Sequence, residues 1–309
     1  MHYRTLGSTG LNVSVIGVGT WQFGGEWGHD YTQPEVDAVF DAARDAGINL
    51  LDTAECYGDH LSEQLCGQAI ARDRDKWVVA TKFGHKFQGH LERTEPRQPE
   101  DIAEQLEDSL KALGTDVIDL YQYHSYASDE FFDDDVLALL HKARDAGKIR
   151  HLGNSVRDHE DQHEQVAAAR ERGLQAVQIV YNRLQRRPEE LGTFDLCQAH
   201  DLGVLVRVPL ASGFLSGKYT AEARFADSDV RSRRNAQQIA DVVEKVRKIK
   251  KEEVPADVPM ARWALAWCLK HPAVTCVIPG CKSPEQVSDN AAAADLVEPG
   301  HPQAADQPG

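Results

Sequence analysis

Short apolar runs rich in β-branched residues alternate with longer amphipathic runs along most of the chain, and Gly, Pro, Asn or Asp bounds each run. Such alternation is typical of βαβ units, in which helices cover a parallel sheet. The apolar runs predict eight strands, at positions 15–19, 50–52, 77–81, 118–123, 149–155, 176–181, 203–208 and 276–278. Eight parallel strands are the number that closes an α/β barrel.

The longer runs predict helices between these strands, at positions 34–46, 99–113, 135–146, 158–172, 188–200, 260–270 and 284–293. Gly47 and Gly114 stand where a left-handed residue commonly ends a helix. Positions 235–251 predict a further charged helix, inserted between the seventh and eighth strands. Positions 3–14, with a Ser-Thr-Gly turn, predict a β-hairpin that plugs the floor of the barrel.

The length of 309 residues alone allows either two domains or one barrel with loops. With eight predicted strands, we expect a (β/α)8 TIM barrel with an N-terminal β-hairpin over residues 1–298. From position 299 the chain is mostly Pro, Gly, Gln and Ala without apolar periodicity. Residues 299–309 are therefore predicted to form a disordered tail.

The chain is strongly acidic, with a formal net charge of -15 and 49 acidic against 34 basic residues. No stripe of Lys or Arg offsets this charge, so a nucleic-acid partner is not expected. Only 13 of the basic residues are Lys. Adaptation to a salt-rich cell and ordinary variation in surface charge both explain this composition.

The amino terminus lacks a basic segment followed by an apolar core, and no apolar run is long enough to cross a bilayer. We therefore expect a soluble, cytoplasmic protein without a membrane partner. Six cysteines have neither C-x-x-C spacing nor metal-ligand spacing. They are predicted to be free thiols, and no metal site is predicted.

Four residues near the ends of predicted strands suggest proton-transfer chemistry: Asp52, Tyr57, Lys82 and His124. A phenol with a pKa of about 10 is a poor acid near pH 7, and a lysine cation beside it should lower that pKa. An aspartate then holds the buried cation, and a histidine can hydrogen-bond a substrate carbonyl. Each residue alone is often merely structural, but together, at the rim where barrel enzymes build active sites, they predict a catalytic site.

A proton donor carries out a reduction only with a hydride source, so a cofactor is implied. Gly17-x-Gly19 is followed by Gln22 where a Rossmann fingerprint needs a third glycine. The stretch from Gly213 to Lys218 has three residues between its glycines where a P-loop needs four. The cofactor is therefore not expected to be held by either of these units.

The motifs D-T-A-E-x-Y-G, A-T-K and Y-Q-x-H at successive strand ends, with the block from Ile278 to Asn290, resemble the aldo-keto reductase superfamily. The resemblance covers roughly residues 3–296. It implies a (β/α)8 barrel that holds NADP(H) across its rim and reduces aldehydes or ketones to alcohols, reversibly. Asp52, Tyr57, Lys82 and His124 match the catalytic tetrad, with Tyr57 as the acid.

The resemblance also implies the cofactor contacts. They are Gly19, Thr20, Trp21 and Asp52 near the nicotinamide ribose, Ser155 and Gln178 at the carboxamide, Leu210, Ser212, Gly213 and Lys218 over the pyrophosphate, and Gly280, Lys282, Gln286, Asp289 and Asn290 around the adenosine. Lys282 is expected near the 2′-phosphate. The helix that begins at Pro284 would add its N-terminal dipole to the phosphate site.

Two positions depart from the family pattern. Val156 replaces the Asn that usually follows the carboxamide serine, which removes one hydrogen bond to the nicotinamide. Arg207 stands where many members place an aromatic ring against the nicotinamide, and its planar guanidinium can stack there instead. A salt bridge at the rim is an equally good interpretation of Arg207.

The substrate is expected to be a small carbonyl compound or alcohol. Its predicted pocket is lined by Trp21, Trp27, Tyr57, Phe87 and His124, although each of the aromatic residues would also serve as packing at the top of the barrel. Two other functions stay open. One is a non-catalytic nicotinamide-binding regulatory subunit of the same superfamily. The other is a barrel metal hydrolase, which usually has a His-x-His pair after the first strand that is missing here.

Overall fold

The computed structural model describes residues 1–298 and 300–308, and its centre is a parallel eight-stranded sheet. In chain order the strands are β3 Val18–Gly19, β4 Leu50–Asp52, β5 Val78–Phe83, β8 Ile118–His124, β9 Ile149–Ser155, β10 Ala176–Val180, β11 Gly203–Arg207 and β12 Cys276–Val277. Each lies largely within a predicted strand. Parallel bridges from Ile16 to Val277 and from Gly19 to Gly280 join the two edges of the sheet. The sheet is thereby closed, and the predicted (β/α)8 fold is confirmed.

Helices surround the barrel. They are α1 Gln33–Asp45, α2 Leu61–Ile70, α3 Pro99–Leu113, α4 Ser128–Phe131, α5 Asp134–Asp145, α6 Gln162–Ala169, α7 Arg187–Glu190, α8 Thr193–Ala199, α9 Ala236–Glu252, α10 Met260–Leu269 and α11 Pro284–Ala291. None of the described helices has the length and apolar character that crossing a bilayer requires.

Three helical regions differ from the prediction, and one of them is the short helix α4, which was not expected. The helix expected at 188–200 is split into α7 and α8 by Gly192, whose φ of 68° is left-handed. Helix α2 was not expected because Gly67 interrupts its apolar pattern. A Cβ at Gly67 would lie 2.4 Å from the carbonyl oxygen of Leu113, so the glycine permits α2 to pack closely against the end of α3.

The N-terminal hairpin consists of β1 Tyr3–Thr5 and β2 Asn12–Ser14. Leu6 and Val13 pack with Leu50 and Leu205 inside the barrel, so the hairpin closes the floor as predicted. The buried guanidinium of Arg4 donates to the carbonyl oxygens of Val274 and Leu269 at 2.6 and 3.0 Å.

The expectation of a disordered tail is wrong for residues 301–306. Ala304–Ala305 form strand β13, which pairs antiparallel with β1, and the Thr5 amide donates to the carbonyl oxygen of Gln303 at 2.8 Å. The free edge of β1 supplies backbone partners that apolar periodicity does not reveal. Pro299 and Gly309, which belong to the same predicted tail, lie outside the described residues.

Candidate active site

The carboxyl ends of the barrel strands carry the predicted polar side chains to one rim. Asp52 ends β4, His124 ends β8, Ser155 ends β9 and Arg207 ends β11. Lys82 lies one residue before the end of β5. Parallel strands in regular register place these ends side by side, so residues far apart in sequence meet at one opening.

Lys82 lies at the centre of a buried polar network. Its ammonium group donates to Asp52 Oδ1 and to the carbonyl oxygen of Thr53, both at 2.7 Å, and approaches the Tyr57 hydroxyl at 3.4 Å. Lys82 is 1 % exposed and Asp52 is 3 % exposed. A buried charge of this kind is stable only when it is paired and hydrogen-bonded, and both conditions are met here.

The other oxygen of Asp52 is also satisfied. Gln178 Nε2 donates to Asp52 Oδ2 at 2.6 Å, and Gln122 Nε2 does so at 3.3 Å. Ser155 Oγ in turn donates to Gln178 Oε1 at 3.3 Å. This chain of side-chain contacts fixes the Asp52–Lys82 pair in one orientation.

Tyr57 lies where two loops touch backbone to backbone. A Cβ on Gly24 would lie 2.5 Å from the Tyr57 carbonyl carbon, and Gly58 has a left-handed φ of 69°. Burial raises the pKa of Tyr57 to about 12, and the Lys82 cation offsets only part of this. Lys82 thus lowers the pKa of Tyr57 as expected, but desolvation outweighs the cation and leaves this pKa above its usual value. Tyr57 is a protonated phenol at neutral pH.

The His124 imidazole faces Tyr57, with the ring centroids 6.0 Å apart. Burial lowers the pKa of His124 well below its usual value, and the nearby His85 and Lys82 lower it further. His124 is therefore neutral at pH 7. Its Nδ1 lies 3.7 Å from Cys56 Sγ, which leaves Nε2 for a substrate oxygen.

A groove with a volume of about 550 Å³ runs from Tyr57 to the start of α11. Nearly all of the predicted site residues line it: Gly19, Thr20, Trp21, Trp27, Asp52, Tyr57, His124, Ser155, Gln178, Arg207, Leu210, Ser212, Gly213, Lys218, Gly280, Lys282, Gln286, Asp289 and Asn290. Lys82 lies behind Tyr57. The structure thus brings together residues from seven separate stretches of the chain.

Phe87 does not line the groove, so its predicted place in the substrate pocket is wrong. It lies in a hairpin formed by β6 Lys86–Gly89 and β7 Glu92–Thr94, and the guanidinium of Arg93 covers its ring at 5.0 Å. Arg93 takes the place at the pocket. Short, mostly polar strands give no periodic signal, and this hairpin was not predicted.

Sequence reasoning also missed several other groove residues: Gln22, Cys56, His85, Arg93, Tyr219 and Arg231. Cys56 is the only one of them with a sequence signal, because it lies inside the stretch that contains Asp52 and Tyr57. The others depend on loop conformation.

Arg207 lies at the rim close to the carboxamide residues. Its Nη2 donates to the carbonyl oxygen of Val156 at 3.0 Å, and its Nε is buried without a hydrogen-bond partner. Within residues 1–298 and 300–308, Arg207 forms no salt bridge, which does not support the rim ion-pair interpretation. The planar face of its guanidinium remains available to a ring in the groove.

Three cations, from Lys218, Arg231 and Lys282, line the opposite end of the groove. Burial lowers the pKa of Lys282, and the neighbouring Arg231 and Lys218 lower it further. The Arg231 guanidinium pairs with Asp229 at 2.5 Å, while Lys282 Nζ donates to the carbonyl oxygen of Trp27 at 3.1 Å. Mutual repulsion of these cations is relieved when an anion binds between them, so the donor set fits the phosphates of a nicotinamide dinucleotide.

Two loops meet over this end of the groove and form a strap, defined by residues 27–28 and 228–231. A bridge joins Trp27 to Asp229, and the Gly28 amide donates to the carbonyl oxygen of Ser228 at 3.2 Å. The Arg231 guanidinium lies 5.3 Å from the Trp27 ring. The strap covers the cations and keeps them partly out of water.

Comparison with known proteins gives a consistent result. Residues 15–299 match the profile of the Aldo/keto reductase family. The chain is 31% identical over 309 residues to a "Probable voltage-gated potassium channel subunit beta" of Oryza sativa subsp. japonica, covering 96% of this chain and 92% of the relative. It is 31% identical to an "NADH-specific methylglyoxal reductase" of Escherichia coli strain K12, covering 94% of this chain and 93% of the relative. The solved structure of an aldo-keto reductase from Bacillus halodurans in its holo form superposes with a TM-score of 0.79 at 30% identity, covering 96% and 91% of the two chains.

Proposed function

The chain belongs to the aldo/keto reductase family, and we propose that it is an NADP(H)-dependent oxidoreductase that reduces aldehydes or ketones to alcohols, reversibly, with Tyr57 as the general acid. One observation carries this proposal. A phenol 3.4 Å from a buried lysine–aspartate pair lies at one end of a groove, and three cations line the other end. A proton source and a site for a phosphate-bearing cofactor thus share one cavity.

The proton is transferred by residues of this chain. Tyr57, protonated at neutral pH, gives its proton to the carbonyl oxygen as negative charge develops there. The Lys82 cation then stabilises the phenolate, and Asp52 keeps that cation in place at 2.7 Å. Neutral His124 donates a hydrogen bond to the same oxygen and orients the carbonyl.

The nicotinamide cofactor supplies the hydride. In this proposal Ser155 and Gln178 hold the carboxamide, which selects the face of the ring presented to the substrate. Arg207 would lie against the nicotinamide ring, in the place of the aromatic residue. Trp21 and Trp27, whose ring centroids are 5.3 Å apart, line the mouth and favour a substrate with an aromatic or aliphatic body.

Preference for NADPH rests on Lys282. Its ammonium group is next to Arg231 at the phosphate end and has no carboxylate partner among the salt bridges of the described residues. A 2′-phosphate provides such a partner. One relative is named as NADH-specific, so family membership alone does not decide between NADPH and NADH.

A panel of aldehydes, ketones and sugars tests the activity, with oxidation of NADPH followed by its absorbance and NADH run in parallel. We expect turnover of at least one small carbonyl, faster with NADPH at equal low concentration. The Tyr57→Phe variant is the matched control for trace contaminants. Equal affinity of the native protein for both cofactors would contradict the proposed preference.

A second candidate is a non-catalytic nicotinamide-binding regulatory subunit. Two relatives named as probable potassium channel beta subunits, 31% and 30% identical, favour it. The complete set of acid, lysine, aspartate and histidine favours the enzyme. Tight NADPH binding without turnover of any carbonyl in the panel would favour the subunit.

A further inference from the structure

The substrate end of the groove contains three side chains that are common metal ligands. Cys56 comes from the loop after β4, His85 from the loop after β5, and His124 from the end of β8. Their ligand atoms lie within 4.8 Å of one another, and Cys56 Sγ lies 3.7 Å from His124 Nδ1. These residues are not spaced along the sequence as in known metal-binding motifs. The sequence predicted no metal site for that reason alone.

The distances are close to those of a tetrahedral zinc site. Zinc–sulfur and zinc–nitrogen bonds of about 2.3 and 2.0–2.1 Å place sulfur about 3.6 Å from nitrogen and two nitrogens about 3.3 Å apart. The Cys56–His124 pair already has this separation. The backbone of His85 is fixed because its amide donates to Glu55 Oε1 at 2.9 Å, so a rotation of its ring is the adjustment required.

The site is open to the groove, and part of the charge around it is paired. All three residues line the groove, which leaves a fourth coordination position open to water. Two of the positive charges nearby are paired, Arg93 with Glu26 and Lys82 with Asp52, both at 2.7 Å, whereas Arg207 has no salt-bridge partner among the described residues. The Glu55 carboxyl lies beside the site, with Oε1 3.9 Å from His124 Nδ1 and a buried Oε2 that has no hydrogen-bond partner.

We propose that Cys56, His85 and His124 bind a soft divalent cation, best matched by Zn²⁺, and that the bound ion inhibits the enzyme by filling the substrate end of the groove beside Tyr57 and His124. A thiolate with two imidazoles selects Zn²⁺ over Mg²⁺ or Ca²⁺, which prefer oxygen ligands. On binding, the Cys56 thiol releases its proton to solvent and no electrons are transferred. The inhibition, unlike the binding, rests on the proposed function.

The site is tested by adding Co²⁺, a spectroscopic substitute for Zn²⁺, to the purified full chain after treatment with a chelator. We expect a thiolate-to-cobalt charge-transfer band that equimolar Zn²⁺ removes and excess Mg²⁺ does not. The band should be lost in Cys56→Ala and kept in Cys197→Ala, which alters a buried cysteine on α8. A native protein without the band, or a Cys56→Ala protein that keeps it, would overturn the site.

A second variant guards against a folding defect in Cys56→Ala. His85→Gln should keep the far-ultraviolet circular dichroism of the native protein and weaken Zn²⁺ binding by at least about tenfold, the lower range found for changes around metal sites. Unchanged Zn²⁺ affinity in His85→Gln would remove His85 from the ligand set and overturn the three-residue site.

The inhibitory effect is measured separately, as the Zn²⁺ concentration that halves each protein's own metal-free rate. This Zn²⁺ concentration should be at least about tenfold higher for His85→Gln, in proportion to its weaker Zn²⁺ binding. Zinc binding without inhibition would overturn the proposed blocking of the substrate end but not the site. A protein without turnover would contradict the proposed function. It would not contradict the metal site, because the cobalt band is measured without substrate.

Discussion

The two ends of the groove handle buried charge in opposite ways. At the substrate end, Lys82 is paired with Asp52 at 2.7 Å, and hydrogen bonds from Gln178 and Gln122 complete the pair. At the phosphate end, Arg231 has a carboxylate partner in Asp229, but Lys218 and Lys282 have none among the salt bridges of the described residues. One end is electrostatically complete by itself, and the other is completed by an anion.

This difference separates catalysis from binding. A network that is satisfied internally keeps its geometry whether or not the groove is filled, which is what a preorganised proton donor requires. Cations that repel one another gain most when a phosphate arrives, which is what a binding site requires. Changes at the substrate end should therefore affect turnover, and changes at the phosphate end should affect affinity.

The largest expected effect is that of Tyr57→Phe on turnover. The substitution removes the transferable proton and keeps the ring, so kcat should fall by about 10²- to 10⁴-fold, the usual range for acid catalysis. The dissociation constant for NADPH, measured by fluorescence quenching, should hardly change. Near-normal kcat with an aldehyde would show that another group is the acid, and His124 would be the first candidate.

Lys82→Met tests whether the lysine acts through Tyr57. It should also abolish most turnover, because the phenolate loses its neighbouring cation and Asp52 is left unpaired in a buried site. Residues that act as one unit give non-additive losses, so the Tyr57→Phe, Lys82→Met double variant should be scarcely slower than the slower single variant. Additive losses in kcat would mean that the two residues act independently.

The next largest effect is expected at the phosphate end. Lys282→Ala should weaken NADPH binding by roughly 1.5 to 3 kcal/mol, the contribution of a hydrogen bond to a charged group, or about 10- to 150-fold in the dissociation constant. Binding of NADH and kcat at saturating NADPH should be nearly unchanged. Lys76→Ala, at an exposed lysine outside the groove, is the matched control. Equal losses for both cofactors would place Lys282 away from the 2′-phosphate.

Glu55 is a buried acidic residue of the substrate end that is not part of the Asp52–Lys82 pair. Its effect should appear in how the free energy of unfolding depends on pH. Burial, together with the nearby Glu63, raises the pKa of Glu55 to about 8. The usual value is 4.5, so this carboxyl contributes fully to stability below about pH 4.5, where both the folded and the unfolded chain hold the proton. Between pH 4.5 and 8 only the folded protein holds it, and stability falls as the pH rises.

The variant Glu55→Gln, which mimics the protonated group, should reduce this fall by at most about 1.4 kcal/mol per pH unit, the limit for one proton. The measurement is the free energy of unfolding from urea titrations at several pH values between 5 and 8. The other titratable groups are the same in the native protein and in Glu55→Gln. The difference between their two curves of unfolding free energy against pH therefore reports Glu55 alone. Parallel curves would contradict the raised pKa.

The smallest effect should be that of salt, and it should have opposite signs for the fold and for the phosphate end. The net charge is -15. The acidic groups on the surface repel one another less as the Debye length falls from about 10 Å at 0.1 M to about 3 Å at 1 M. The melting temperature should therefore rise by a few degrees with KCl, while NADPH binding weakens. A flat or falling melting temperature would leave ordinary variation as the explanation of the acidic composition.

The sequence predicted the regular parts of the molecule and the residues fixed to them. Asp52, Lys82 and His124 could be placed because each lies in a strand whose apolar run is visible, and parallel strands bring their ends together. Tyr57 could be placed because its loop is short and carries a recognisable motif.

What the sequence did not predict depends on contacts without a periodic signal. Arg93 reaches the pocket instead of Phe87 because a short polar hairpin turns one side inward. The sequence indicates that Lys82 lowers the pKa of Tyr57, but not that burial in the folded loop raises this pKa by more. Cys56 and His85 approach His124, at the end of β8, because of the conformation of the loops after β4 and β5.

The pairing of β13 with β1 has a consequence for how the protein is made. Among the described strands β1 leaves the ribosome first, and its edge partner, Ala304–Ala305, is synthesised last. At about 5–20 residues per second the first strand waits on the order of tens of seconds for that partner. Until then the nascent chain carries an open strand edge, which is a surface that chaperones or other copies can bind. Assembly of the barrel floor is thus a late event in biosynthesis, although its first strand is the earliest to appear.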